Sequence, residues 1–198
     1  MQVSVMVSRP AENTGLMSLA EFVRMYDTEG PFELINGERI QLHPVVFGHT
    51  SCAKRIYDAL LLFLHEHPLG EVYAEAAFVL LYDPNWVKGS RQPDVLFVCA
   101  ERLEAYRAET PDHADKPLVL VPDLVVEVIS TNDNYSEVEE KVDLYLSDGV
   151  QLVWVVDPRR QVVTVHGQHT YQKLTVQDAL TAGEVIPGFS LPVAEIFQ

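Results

Sequence analysis

The sequence predicts an α/β fold: a mixed central β-sheet flanked by helices, with an N-terminal hairpin and extra C-terminal strands. Three observations predict it. VPDLVVEVIS and QLVWVVD are nearly continuous runs of β-branched and apolar residues, the pattern of strands covered on both faces. A helical stretch, NYSEVEEKVDLYLSDGV, lies between them, so the two strands form a parallel pair joined by a right-handed crossover. A second amphipathic stretch and several shorter β-prone runs surround this unit, which puts helices on the faces of a sheet.

Taken in order, residues 1–15 read as a flexible tail and residues 16–198 as one domain. Ser18 caps a short helix, with Glu21 completing a capping box. In FELINGERIQL, Asn36-Gly37 accepts positive φ at both central positions of a type I′ turn, which makes this segment a hairpin. Over residues 46–67, Ala53, Ile56, Tyr57, Leu60, Leu61 and Leu64 recur at helical spacing, and Pro68 and Gly70 end the helix. EVYAEAAFVLLY and RQPDVLFVC read as two strands divided by the Asp83-Pro84-Asn85 turn. Residues 101–116 read as a helix followed by a surface loop. In the crossover helix, Ser136 is the predicted cap, Glu139 completes its box and Gly149 stops it. Pro158-Arg159-Arg160 then turns QLVWVVD into QVVTVHG, and VIPGFSLPVAEIF closes the chain.

Composition narrows the function classes. Cys52 and Cys99 are too few for a disulfide framework and read as buried thiols. His65 and His67 in HEHP lack zinc-ligand spacing and read as a frayed helix end. No apolar run is long enough to span a bilayer and no basic-then-apolar leader opens the chain, so a cytoplasmic protein without a membrane partner is expected. The net charge of -15 opposes polyanion binding, which draws on a basic face. Nucleic acid fits only if carboxylates serve metals and the few cations are grouped. Those cations are Arg91, Arg102, Arg107, Arg159, Arg160 and the Lys54-Arg55 pair.

The chemical anomaly is Glu127, flanked by Val126 and Val128 in a strand otherwise suited to a core. A buried carboxylate costs several kcal/mol unless it is paired or holds a metal. Asp94, at the start of another buried-looking strand, poses the same question. On neighbouring strands the two acids can converge on one hard cation, Mg²⁺ or Mn²⁺, which takes one or two protein carboxylates and leaves positions for water and phosphate. Lys141, beside the apolar stripe of Val138, Val142 and Tyr145, can reach over the sheet edge to offset charge in a transition state. Each residue taken alone has a structural alternative: a salt bridge for Glu127, a strand cap for Asp94, a solvated helix cation for Lys141.

FELINGE, RQPDVLFV, PDLVVEVIS, EKVDLYLSDGVQLVWVVDP and GEVIPGFSLPVAEIF, in that order over residues 17–197, resemble the Uma2-type proteins. These are bacterial endonucleases of the PD-(D/E)XK superfamily. The resemblance implies a restriction-endonuclease-like fold and a metal-dependent endonuclease hydrolysing phosphodiester bonds in DNA. It makes Pro93-Asp94 the "PD" half of the motif and Glu127 the second acid, with the Val128 carbonyl an additional ligand. The superfamily's lysine stands two residues after that acid, where this chain has Ile129, and Lys141 on the following helix becomes its replacement. Glu33 becomes an upstream acid able to hold a second metal or orient water, the alternative being a pair with Arg39. Glu38 is a weaker, exposed candidate, and His49 could approach a phosphate, although its place at a helix start favours a capping or surface role.

The expected metal set is therefore Asp94, Glu127 and Glu33, with Lys141 assisting. A nuclease-derived module that binds nucleic acid or a protein without cutting is the alternative. A homodimer is expected, paired through the apolar closing hairpin.

Overall fold

The computed structural model describes residues 17–42, 44–130 and 134–198, so the predicted 1–15 tail lies outside the described residues. β1 (Met17–Ser18) leads into α1 (Leu19–Glu29), and Ser18 Oγ accepts the Glu21 N–H at 3.2 Å, as predicted. β2 (Phe32–Ile35) and β3 (Glu38–Gln41) are the expected hairpin, with Asn36 and Gly37 at φ 52° and 82°. α2 (Phe47–Glu66) is followed by β4 (Gly70–Ala74), β5 (Phe78–Asp83), β6 (Trp86–Arg91) and β7 (Val95–Cys99). α3 (Ala100–Glu109) and a 3₁₀ turn at His113–Asp115 precede β8 (Leu124–Val128), α4 (Tyr135–Asp148) and β9 (Leu152–Asp157). β10 (Val162–Gly167), β11 (Thr170–Thr175), β12 (Ala179–Ala182), β13 (Ile186–Pro192) and α5 (Val193–Ile196) complete the chain.

The main sheet has six strands in the order β11-β10-β9-β8-β7-β4. The pair β8–β9 is parallel, as the strand–helix–strand order predicts, and the other pairings are antiparallel. α2 and the closing hairpin bury Val95, Phe97, Val126, Val128 and Trp154 on one face. On the other face, Val142 and Tyr145 of α4 pack with Leu96, Val98, Val125, Val153 and Val155. Glu127 alternates with Val126 and Val128 and so belongs to the α4 face.

The N-terminal hairpin joins β1, β5 and β6 in a second, five-stranded sheet, backed by Phe22 of α1. Three expectations need correction. EVYAEAAFVLLY is broken at Glu75, whose φ of 51° is left-handed, so β4 joins the main sheet and β5 the smaller one. RQPDVLFVC is broken at Pro93, which has no N–H for a ladder. Gln92-Pro93-Asp94 thus carries the chain from the smaller sheet to the main one and leaves Asp94 at the junction. The cap of α4 lies two residues before the expected Ser136, because Asn134 is the residue with extended backbone. The Glu137 carboxylate accepts the Asn134 backbone N–H at 3.3 Å, and Gly149 ends the helix at φ 107°.

The closing hairpin does not present an apolar surface to a second copy. Leu180, Ala182, Ile186, Phe189 and Leu191 are all buried in the main core, so the predicted dimer contact is absent from that element. Cys52 is buried as expected, whereas Cys99 is only partly so. Among the described residues no helix is long and apolar enough to cross a membrane.

Candidate active site

Five elements meet at the end of the main sheet where β8 finishes and β7 begins. β7 and β8 pair Val95 with Val126, and extending that register by one residue sets Asp94 across from Glu127. Asp94 Oδ2 accepts the backbone N–H of Val128 at 2.7 Å, so the two acids flank one strand end. From the smaller sheet, β2 brings Glu33, which is 1% exposed. From α4, the Lys141 Nζ lies 3.4 Å from Glu127 Oε2 and 3.7 Å from Glu33 Oε2. All four residues singled out from the sequence are therefore gathered, and one ammonium group sits between two carboxylates from different sheets.

Arg39 does not hold Glu33. It pairs with Glu29 at 2.8 Å and lies over the Phe32 ring, leaving Glu33 to accept the Gln92 N–H at 3.0 Å. The Gln92 side-chain oxygen in turn accepts the Tyr26 hydroxyl. Glu38 is exposed, as expected, and stands in the hairpin away from these contacts.

His49 departs most from its predicted role. It is 5% exposed, and its Nε2 lies 3.3 Å from Asp94 Oδ2. α2 has no side-chain cap, so capping does not explain this histidine. The signal was available: His49, Cys52, Ile56 and Leu60 follow one another at three- and four-residue spacing, which places the histidine on the buried stripe. Tyr145 was legible only as part of the apolar stripe. Its hydroxyl also donates to Glu127 Oε1, one helical turn beyond Lys141.

The electrostatics follow from packing three acids around one ammonium. Burial pushes the Glu127 carboxyl up to about 7; Lys141 opposes the rise, and Asp94 and Glu33 add to it. The Lys141 ammonium is held firmly protonated, chiefly by Glu127. Burial alone would lower His49, but the Asp94 carboxylate, with smaller contributions from Glu127 and the Val128 backbone, outweighs it and raises the imidazole. Tyr145 is pushed well up by burial and by Glu127, so it remains a hydrogen-bond donor.

The remaining cations do not gather into a basic face. Arg91 is buried against Asp148 at 2.9 Å, Arg102 holds Asp123 at 2.6 Å, and Arg107 grips Glu71 at 2.8 Å. Lys54 pairs with Asp58, and Arg55 donates to the Ile196 carbonyl at 3.3 Å. The expectation of grouped cations fails for these five residues, because each is engaged within the protein; Arg159 and Arg160 stay at the surface. Among the described residues no group of three or more His, Cys, Asp and Glu side chains is drawn together tightly enough to hold a metal ion.

Comparison with known proteins bears on this arrangement. The family model described as "Uma2: Putative restriction endonuclease" matches residues 19–194. Among solved structures, a "putative nuclease belonging to DUF820" from Anabaena variabilis is similar to this chain with a TM-score of 0.73. The two are 19% identical, and the match covers 91% of this chain and 97% of that one. At that identity the likeness concerns the fold. No curated protein matches the chain.

Proposed function

The chain belongs to the Uma2 family of putative restriction endonucleases, and from that premise we propose that it is a divalent-metal-dependent endonuclease. Its substrate would be the phosphodiester backbone of nucleic acid, DNA in the first instance. The observation that carries this reading is Lys141, whose ammonium lies between buried Glu127 and Glu33 beside the strand end that Asp94 caps.

The donor chemistry suits Mg²⁺ or Mn²⁺, although the carboxylates are not drawn together into a closed three-ligand cage among the described residues. The donor set is all carboxylate oxygen, partly dehydrated, and carries more negative charge than one ammonium neutralises. Burial is the main cause of the rise of Glu127 to about 7, and the neighbouring Asp94 and Glu33 carboxylates add to it. Asp94 and Glu127 would hold the ion, with Glu33 a third ligand or the holder of a second ion; Mg²⁺ often takes no more protein ligands than this. When bound, such an ion stabilises charge on a phosphoryl oxygen and makes water a better nucleophile near neutral pH.

The protein's own groups then have distinct tasks. The Lys141 ammonium offsets negative charge that grows on the phosphate in the transition state and helps place the attacking water. Tyr145 and His49 fix the carboxylates of Glu127 and Asp94 in orientation, as partners around a metal site do. Gln92 and Tyr26 fix Glu33 in the same way.

The test is cleavage of single- and double-stranded DNA and RNA with Mg²⁺, Mn²⁺ and Co²⁺. Asp94→Asn and Glu127→Gln should abolish metal-dependent cleavage while keeping the wild-type circular-dichroism spectrum. Lys141→Met should slow it by about a hundredfold or more. Cutting that persists in Asp94→Asn, or no cutting by wild type under any of these conditions, defeats the proposal.

One observation favours a module that does not cut: both Glu127 oxygens already have protein donors, Tyr145 and Lys141. Titration calorimetry with Mn²⁺ separates the two readings, since the endonuclease must take up metal in a manner that Asp94→Asn removes. A homodimer remains our proposed assembly, because two symmetric sites suit the cutting of two strands.

A further inference from the structure

The pocket over Glu127 and Lys141 continues past the candidate site. Between α4 and the outer strands of the main sheet it meets a second pocket, with Ile129, Val138, Val142 and Val155 lining both. Strand register shows where this groove leads. Glu127 is paired with Val155, Val155 with Thr164, and Thr164 with Lys173. Residues in one such row face the same side of a sheet, so Lys173 stands about 14 Å from Glu127 on the side the acid faces. In the next row, His166 is paired with Tyr171, and their rings meet edge-on at 5.1 Å.

The walls of the outer groove are unusual for a surface. Tyr171, 63% exposed, rises from β11, and Tyr135, 64% exposed, stands at the first position of α4; both line the same pocket. Arg160, whose side chain is 69% exposed, lines it too. Asp157 offsets that charge only in part. Its Oδ1 accepts the backbone N–H groups of Arg159 and Arg160 at 3.0 Å each, which forms the turn, and its other oxygen is 3.7 Å from Arg160. Glu139 is the remaining acid on the wall, interacting with the Tyr135 hydroxyl. Lys173, on β11, is exposed and lines the same pocket.

We propose that this groove binds a single-stranded stretch of nucleic acid, with bases stacked on Tyr135 and Tyr171 and phosphates on Arg160 and Lys173. This rests on the endonuclease reading of the acid cluster and deepens it by naming an unpaired strand as the substrate class. An apolar floor between two exposed phenols suits base faces, which a duplex keeps hidden in its own stack and an unpaired strand offers. A duplex would need the broad basic face that this chain lacks, since Arg91, Arg102 and Arg107 are engaged internally. Two or three cations with stacking serve a short unpaired segment.

The experiment is fluorescence anisotropy on the full chain with labelled oligothymidylate and oligouridylate of about 12 nucleotides, within the range of known single-strand site sizes. A duplex of equal length is the third arm. Wild type should prefer the single strands, and the two single-strand arms report whether the sugar matters. Tyr135→Ala and Tyr171→Ala should each weaken single-strand binding about tenfold, while Tyr171→Phe keeps it, because stacking needs the ring and not the hydroxyl. Lys173→Glu should weaken binding and flatten its salt dependence.

Duplex preference, no single-strand binding by wild type, or alanine variants that bind like wild type would each overturn the proposal. Cleavage is measured in parallel. If Asp94→Asn stops cutting while the tyrosine variants bind and cut normally, the groove fails and the endonuclease reading stands. If the tyrosine variants lose binding and no metal supports cutting, the groove stands and the endonuclease reading fails.

Discussion

Glu127 shows how a residue's surroundings set its chemistry. A glutamate beside Val126 and Val128 is forced into the sheet by the pattern of its neighbours, and burial drives its carboxyl up to about 7 against the pull of Lys141. The shift has a consequence for stability in metal-free protein. A carboxyl whose folded pKa lies above its unfolded value binds its proton more tightly in the native state. Its stabilising contribution is therefore complete below the unfolded value near 4.5 and is lost as pH rises through about 7. At 1.36 kcal/mol per pKa unit, the change is on the order of 3 kcal/mol. Thermal melts of metal-free wild type should fall by several degrees between mildly acidic and mildly alkaline pH. In Glu127→Gln that fall should shrink; an identical pH profile in the two proteins would contradict the assignment.

Elements carry these residues to the site, and the contacts between elements are where substitutions should tell most. Glu33 rides on the smaller sheet and Lys141 on α4, and the two elements are bolted together by Arg91 and Asp148, whose side chains are 7% and 8% exposed. Arg91 also donates to the Leu34 carbonyl at 2.9 Å, next to Glu33. Asp148→Ala leaves a buried guanidinium without its partner and should cost about 3–5 kcal/mol in urea unfolding. Replacing both partners by apolar residues of similar volume should recover most of that loss. A milder test concerns β4. A methyl group added at Gly70 would fall 2.2 Å from the Val98 carbonyl oxygen and 2.6 Å from the Phe97 ring, so the strands cannot close around it. Gly70→Ala should destabilise by about 1–3 kcal/mol, visible as a lower urea midpoint with an unchanged slope.

For the molecule as a whole the governing quantity is a net charge of -15 combined with internally paired arginines. Long-range attraction to nucleic acid is absent, so binding must come from the metal, from stacking and from the few surface cations. With Arg160 and Lys173 contacting phosphates, the logarithm of the single-strand binding constant should fall with the logarithm of salt at a slope of about -1.4. A slope several times steeper would reveal a basic surface that the fold does not display.

Much of this was legible in the chain. Asn36-Gly37 announced its hairpin because few dipeptides tolerate positive φ twice. VPDLVVEVIS, the following helix and QLVWVVD announced a parallel unit through periodicity, and Glu127 stood out against its valine neighbours. Asp94 and Lys141 joined it from strand position and helix spacing, and the family motifs added Glu33. These are local signals, written in backbone preference, hydrophobic period and charge in the wrong place.

Tertiary structure decided what depends on residues distant along the chain. The break at Pro93 that divides one apparent strand between two sheets, the burial of His49 against Asp94, the choice of Glu29 over Glu33 by Arg39, and the covering of the closing hairpin by α2 are such cases. In each, the sequence offers a residue several partners of similar local merit. Packing selects among them, because only one arrangement fills the core.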